Sequence, residues 1–562
     1  MYIGVDVGGT YTDAVLLDQG LVRAMAKVPT KEDLLSTLLE ALDAVMRGVS
    51  GDLVERVVFS TTMITNLIAE KKYDPVGLIL MPGPGLCQNL YRFPTHMHVI
   101  QGAIDYRGRE ILPLRMTEVD EAAGELAAGG YSKVAIVGKF SSRNNRHEKE
   151  VAARVRWNYP DWHLELGHQV AGQLNFPRRV VTTYLTCATR EKYQFFVRSV
   201  QEAVRQRGIA GPVFMLKADG GTLPLESSLD VPVETIFSGP AASTLGVQAL
   251  TPPGETAVVV DIGGTTTDLA LILSGQPLLA SRGARVDDML THVRALAVKS
   301  VPVGGDSIVE RVGRDIIVYS ERLGSPYCLG GPLPTPTDAL RVLGLTNLGD
   351  GERARRAMTM LGDPLGISAG EVAGRVISLV IDTIAREIEA MFARWEQEPA
   401  YRVWEVLQKK KVRPRTVVGV GGGAAGFVSQ IAARMGCYPV IPPYAPVANA
   451  IGTAVARPTL QVTLRADTER GVYSIQEEGY QGILESKGFN EEKALALARD
   501  WLARLAARHG LEDCLSDMEV TRREVFNMVR DWVTVGRLID VTVQTRRGIL
   551  YHVGAGGENS EK

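Results

Sequence analysis

Asp6, Gly8, Gly9, Thr10, Thr12 and Asp13 recur in the same order and spacing as Asp261, Gly263, Gly264, Thr265, Thr267 and Asp268. Across the two copies, Asp6–Leu17 (DVGGTYTDAVLL) and Asp261–Ile272 (DIGGTTTDLALI), seven of twelve positions are identical. A carboxylate ahead of a glycine turn, followed by hydroxyls and a second carboxylate, suits a polyphosphate and its divalent metal. The glycines let backbone N–H groups approach phosphate oxygens without a Cβ in the way. Thr10 and Thr265 can donate to the β- and γ-phosphates. Asp6 and Asp261 offer the oxygen ligands that Mg²⁺ prefers while it keeps most of its waters. Asp13 and Asp268 are placed to orient Thr12, Thr267 or a metal-bound water, and Thr266 completes the second turn. The alternative is a pair of structural glycine turns in duplicated domains; two copies a domain's length apart favour the phosphate reading.

Each copy needs a strand on either side of its turn. Apolar runs supply them, YIGV before the first and AVVV before the second. A third glycine turn, GVGGGAAG (Gly419–Gly426), lies between an apolar run and a helical pattern. Its Gly421, Gly423 and Gly426 match the dinucleotide fingerprint, which calls for an acidic residue about 20 positions on. No Asp or Glu occurs between Gly426 and Asp467. The turn built from Gly421, Gly422, Gly423 and Gly426 is therefore read as a surface for adenine and ribose in the same site. There is no GxxxxGK[ST] run, so the chain is not a P-loop protein.

With 45% apolar and 22% charged residues and a net charge of −2 over 562 residues, the chain reads as several globular domains with no electrostatic case for nucleic acid or a membrane surface. Lys409–Lys411 reads as a solvated helix end. The apolar helix Val376–Trp395 carries Asp382, Arg386, Glu387 and Glu389, so it is amphipathic rather than membrane-spanning. The N-terminus lacks a signal peptide pattern, and five dispersed cysteines without a CxxC pair fit reduced thiols, so a cytoplasmic protein is expected. Alternating strand-like and helical runs place an α/β domain at residues 1–180 and a second one, with the adenosine turn, at 181–457. A helix is expected from about Thr182 to Gln206. Residues 458–562 read as a small α+β domain: a helix over Glu491–His509, an antiparallel pair within DWVTVGRLIDVTVQTRRGILYHV, and a disordered tail, GAGGENSEK.

Two DxGGT hairpins followed by a glycine-rich adenosine turn resemble the actin, Hsp70 and sugar-kinase ATPases, which implies two duplicated ribonuclease-H-like domains enclosing a nucleotide cleft. Within that group the chain resembles the hydantoinase A / 5-oxoprolinase family over about Met1 to Arg457. The segments that carry this are Ser60–Lys72 (STTMITNLIAEKK), Lys217–Gly221 (KADGG), Glu234–Ser243 (ETIFSGPAAS), Val303–Ile308 (VGGDSI), Gly330–Ala339 (GGPLPTPTDA) and Pro442–Ala454 (PPYAPVANAIGTA), in the family's order. The resemblance implies ATP and Mg²⁺ as cofactors and activation of an amide, lactam or enolizable carbonyl by phosphorylation, beside a B-type partner subunit. It adds Gly239 to the nucleotide site and Thr61, Thr62, Asn66, Lys217, Asp219 and Asp306 to the substrate side, and it leaves a homodimer open.

Three positions depart from the family pattern. Phe59-Ser60-Thr61-Thr62 stands in place of His-Gly-Thr-Thr, Ala297-Val298-Lys299 in place of Asp-x-His, and Asp306 replaces a glycine. Loss of imidazole and carboxylate opens a second reading, an ATPase that remodels a partner enzyme. His96 and His98 lie on one side of an extended segment and raise a metal site, for which a third ligand is missing.

Overall fold

The repeat folds as two copies of one unit. In the computed structural model, which describes residues 1–87, 89, 93, 95–287, 289–397, 412–484 and 488–554, strands β1 (Tyr2–Val7) and β2 (Tyr11–Asp18) form a hairpin with Asp6 opposite Asp13. Strand β3 (Leu21–Pro29) follows antiparallel, and β4 (Arg56–Thr61) lies parallel to β1 and leads into helix α1 (Met63–Ala69). A second, four-stranded parallel sheet comes next in the chain. It holds β5 (Gly77–Met81), β6 (Met97–Val99), β7 (Lys133–Gly138) and β8 (His163–Leu166) in the order β8-β7-β5-β6. Their apolar runs, GLILM and KVAIVG, are buried along almost their whole length, as parallel strands covered on both faces must be.

Helix α2 (Phe176–Gln206) is 31 residues long and starts earlier than the sequence suggests. Pro177 falls in its first turn, where the missing N–H costs nothing, and the Asn175 side chain caps the Arg178 N–H. The chain then returns to the first sheet as β9 (Val213–Leu216) and β10 (Thr222–Pro224), giving the order β10-β9-β4-β1-β2-β3. Residue 180 thus lies inside a helix, and the first sheet takes strands from both sides of it.

The second unit repeats the plan. Helix α3 (Ser238–Leu250) precedes the hairpin of β11 (Ala257–Ile262) and β12 (Thr267–Leu273), with Asp261 opposite Asp268. Strands β13 (Gln276–Pro277) and β14 (Val298–Val301) pair with β12. Helices α4 (Pro336–Val342) and α5 (Ala369–Gln397) cover the sheet. Strand β15 (Thr416–Val420) runs parallel to β11, then come α6 (Ala424–Met435), β16 (Tyr438–Val440) and α7 (Ala448–Val455). No single helix among the described residues is long and apolar enough to cross a membrane.

The remainder forms a five-stranded antiparallel sheet of β17 (Gln461–Asp467), β18 (Val472–Ile475), β19 (Tyr480–Ile483), β20 (Met518–Arg530) and β21 (Val533–Thr545), backed by helix α8 (Glu491–His509). The expected antiparallel pair is shifted: β21 pairs with β20 before it, not with residues 546–553 after it. The strand β20 escaped notice because nearly all of it is exposed and it has no apolar period. Asp531 and Trp532, both at positive φ (49° and 65°), make the two-residue turn. Residues 549–554 instead run back along helices α7 and α3, where the Leu550 N–H donates to Val455 O and the Val553 N–H to Ala249 O, and reach the first unit where the Gly554 N–H donates to Gly20 O. Lys409–Lys411 and residues 555–562 of the tail lie outside the described residues.

Candidate functional site

Strand alternation turns Asp6 and Asp261 away from the apolar faces that bury their neighbours, and the two carboxylates converge on one side chain. The Asn449 amide donates to Asp6 Oδ2 at 3.2 Å and to Asp261 Oδ2 at 3.3 Å. Each aspartate also accepts from a serine: Ser60 Oγ, the register partner on β4, donates to Asp6 Oδ1, and Ser243 Oγ on α3 donates to Asp261 Oδ2 at 2.5 Å. Asn449 opens α7, which wedges against β1 and α3 through glycines. A Cβ on Gly452 would stand 2.0 Å from Ala242 O, on Gly246 2.1 Å from Ala448 O, and on Gly4 2.1 Å from Ala450 O. These contacts admit no side chain, so they fix the height of Asn449 between the hairpins.

Four carboxylates, Asp6, Asp13, Asp261 and Asp268, crowd the site, and Lys27 pairs with Asp13. Burial raises the Asp6 carboxyl above its ordinary value; Ser60 and Asn449 oppose that, and the charge of Asp261 adds to it. Burial lifts Asp13 to about 6, although Lys27 Nζ lies 2.8 Å from its Oδ1. Burial and then Asp261 lift Asp268 to about 7 against a hydrogen bond from Ser300. Carboxylates held this way favour a bound cation over a bare charge. Among the described residues no three His, Cys, Asp or Glu groups converge as a ligand set. Two carboxylates facing an open turn are what Mg²⁺ takes from a protein when phosphates and waters complete its octahedron. Asp6 and Asp261 therefore fit the ion as donors.

Both turns present their tips outward. Thr10 and Thr265 are exposed, while the Gly8 N–H donates to Tyr11 O (3.1 Å) and the Gly263 N–H to Thr266 O (3.0 Å), closing the turns. The third turn abuts the second hairpin. Gly421 has φ +85°, and a Cβ there would lie 2.4 Å from Asp261 Oδ1; Gly423 packs on Ile262, and its N–H donates to Ile262 O at 3.0 Å. A Cβ on Gly422 would meet nothing within 4 Å, so this residue faces open space. Asp306 joins the same cluster: its N–H donates to Gly264 O at 2.7 Å, and its carboxylate crowds Gly264 while pairing with Arg322 at 3.1 Å. On the first hairpin, Asn66 reaches Gly9 and donates to Thr62 Oγ1 at 3.3 Å. Gly239 packs on Thr62, and Ser238 Oγ donates to Thr61 O at 2.8 Å.

Other sequence candidates go elsewhere. Thr12 and Thr267 are buried beneath their turns, Thr12 against the Thr30 hydroxyl (3.0 Å) and Thr267 donating to Val303 O (2.7 Å). They pin the turns, and with Asp13 taken by Lys27 the expected carboxylate–hydroxyl pairing does not form. Gly426 is a packing glycine inside α6, against Leu340 of α4. Lys217 follows β9, two strands or about 10 Å from Asp6 across the sheet. It enters a separate ion cluster with Asp219 (3.8 Å) and Glu234 (3.9 Å). Against burial, Lys217, Arg294 and Arg547 hold Asp219 below its ordinary value. Phe59 is wholly buried in the core, because alternation on β4 turns Ser60, not residue 59, toward Asp6. Lys299 sits on β14 opposite Leu269, one residue from the Ser300 that serves Asp268. His96 pairs with Tyr131 (2.9 Å) and His98 with Glu125 (3.6 Å), so the two do not share a ligand. Sequence reasoning missed Asn449, Ser60, Ser243 and Lys27 as site residues. The only signal was that the first three lie inside quoted motif segments.

A family model described as hydantoinase/oxoprolinase matches residues 179–462, and one described as hydantoinase/oxoprolinase N-terminal region matches residues 2–158. The caprolactamase alpha subunit of Pseudomonas jessenii is 26% identical over 489 residues, covering 78% of this chain and 68% of that protein. The acetophenone carboxylase gamma subunit of Aromatoleum aromaticum is 26% identical over 450 residues, covering 69% of this chain and 60% of that protein. The chain thus spans about two thirds or less of the length of these relatives. The solved nucleotide-free structure of acetone carboxylase superposes with a TM-score of 0.75 at 18% identity, over 100% of this chain and 89% of that one, and so shares its fold.

Proposed function

The chain belongs to the hydantoinase/oxoprolinase family, and from that premise we propose that it uses ATP to phosphorylate, and so activate, the oxygen of an amide, lactam or enolizable carbonyl compound. The observation that carries this is the pair of carboxylates from duplicated hairpins, Asp6 buried and Asp261 half-buried, bridged by one Asn449 amide. Asp6 and Asp261 would hold Mg²⁺, which when bound supplies positive charge against the phosphates. The amides and hydroxyls at Gly9–Thr10 and Gly264–Thr265 orient the phosphate chain and stabilise charge that develops on the γ-phosphoryl group; phosphoryl transfer depends mainly on such positioning. Gly422 leaves room for the adenosine. Transfer breaks the bond between the γ-phosphorus and the ADP oxygen and forms one to the carbonyl oxygen, while the amide N–H or α-carbon proton passes to solvent, leaving an imidate phosphate whose phosphate can depart or an enol phosphate.

The relatives' names as subunits support action beside a separate subunit that completes hydrolysis or carboxylation. Five free cysteines fit a reducing, cytoplasmic setting. The decisive experiment measures ATP turnover of the purified chain with 5-oxoproline, hydantoin, caprolactam and simple ketones. Stimulation well above the basal rate by one of these supports the proposal. Stimulation by a partner protein alone, with every small carbonyl compound inert, would replace it with the remodelling ATPase.

A further inference from the structure

A second cavity lies away from the hairpins and shares no lining residue with them. Its volume is about 650 Å³, within the usual range for a small-molecule site. Three distant stretches form it: the chain after β5 and β7 (Leu86, Lys139, Phe140), the start of α2, and the ribbon that ends at Met289 and Leu290. The carboxyl ends of parallel strands are where open α/β sheets bind ligands. Most of the wall is apolar, with Phe140, Phe176, Met289 and Leu290 prominent.

The charged groups on the described part of that wall are cations. Among the described residues, Lys139, Arg178 and Arg179 line the cavity and no Asp or Glu does. Among the described residues Lys139 and Arg178 form no ion pair; Lys139 Nζ donates only to Pro84 O, at 3.1 Å, and the charge acting on Arg178 is that of Arg282, which repels it. Arg179 is buried, spends its donors on Ala171 O, Gly138 O, Gln173 O and the Ser141 hydroxyl, and has its charge offset by the buried Glu148 carboxylate, so Lys139 and Arg178 are the cations left to a ligand. His292 donates through Nε2 to Asn175 O at 3.1 Å; burial, then Arg179 and Arg178, drive its imidazole down to about 4, so it stays neutral. Two rim residues, Phe140 and Asn175, hold left-handed φ values of 62° and 103°, a cost that tends to persist where a site's shape matters. A concave apolar wall with unpaired cations at one edge matches a ligand that is apolar over most of its body and anionic at one end.

We infer that this cavity binds an organic carboxylate carried on an alkyl or aryl body, with Arg178 and Lys139 taking the carboxylate. The inference goes beyond the carbonyl-activation reading and does not depend on it.

Isothermal titration calorimetry of the full chain with octanoate and with octanamide tests it. Octanoate is expected to bind saturably and octanamide at least about tenfold more weakly, the factor a charge-assisted contact supplies. Arg178→Gln should remove that preference while ATP binding is unchanged, and Leu290→Trp should block both ligands. Lys139→Gln serves the same purpose should Arg178→Gln fail to fold. No saturable binding, equal binding of acid and amide, inorganic phosphate binding as tightly as octanoate, or a preference that survives both cation substitutions would each overturn the assignment.

Discussion

Removing the bridge between the two carboxylates is the sharpest perturbation of the site. In Asn449→Ala, one amide that donates to Asp6 at 3.2 Å and to Asp261 at 3.3 Å is lost. A hydrogen bond to a charged group is worth about 1.5–3 kcal/mol, so two at full strength would contribute about 3–6 kcal/mol. Both are long, and Asn449 is only half-buried, so solvent reduces the sum to about 2 kcal/mol. If that energy positions the carboxylates for the nucleotide, kcat/KM for ATP falls about thirtyfold. The companion Asn449→Asp adds a third carboxylate at the same point. It should bind nucleotide poorly at low Mg²⁺ and recover in part as Mg²⁺ is raised, because the cation offsets the added repulsion. The assay is steady-state ATP turnover across a Mg²⁺ series, with melting curves to confirm folding. A kcat/KM within about threefold of the parent for Asn449→Ala, with an unaltered Mg²⁺ dependence, would refute the reasoning: the bridge would then be incidental.

Four further outcomes follow from the same geometry. Because Asp13 (about 6) and Asp268 (about 7) sit above the unfolded carboxylate value, the native state binds more protons between about pH 4 and pH 7. Stability of the ligand-free chain should therefore fall as pH rises through that window, and Mg²⁺ with ATP should flatten or reverse the slope; identical denaturation midpoints at pH 5 and pH 8 would contradict this. Asp268→Asn removes a half-buried charge while keeping a partner for Ser300, so it should raise ligand-free stability at pH 8 by about 2 kcal/mol and lower ATP turnover, read from denaturant melts and rates on the same preparation. Gly452→Val drives a Cβ into the Ala242 carbonyl, 2.0 Å away, and should cost about 3 kcal/mol or more, seen as lost soluble yield or an early denaturation midpoint. Gly422→Val meets only open space, so it should leave the melting temperature unchanged yet weaken ATP binding by calorimetry; unaltered affinity would move the adenosine elsewhere.

Local rules were legible in the residues. Asp6 and Asp261, with their glycine turns, announce a duplicated phosphate hairpin because the chemistry and the strand–turn–strand pattern are contiguous in sequence. Helix α8 also spans the expected Glu491–His509, since its amphipathic period and caps are local. Strand β20 was illegible, because its partner rather than an apolar pattern makes it a strand. The departure at Phe59 looked like lost chemistry; the pleat shows a core side chain, with Ser60 the one that faces Asp6.

What the sequence determined alone, then, is the pair of hairpins, the third glycine turn and the family they belong to, all matters of residue type at short spacing. Tertiary structure decided which groups meet. It brought Asn449 to two carboxylates 443 and 188 positions away, pressed Asp306 onto Gly264, and carried Lys217 and Asp219 off into an ion cluster of their own. The physical reason is that such meetings depend on close approach of distant segments, as at Gly4, Gly246 and Gly452 for Asn449 and at Gly304 against Gly264 for Asp306, a packing that no local pattern encodes.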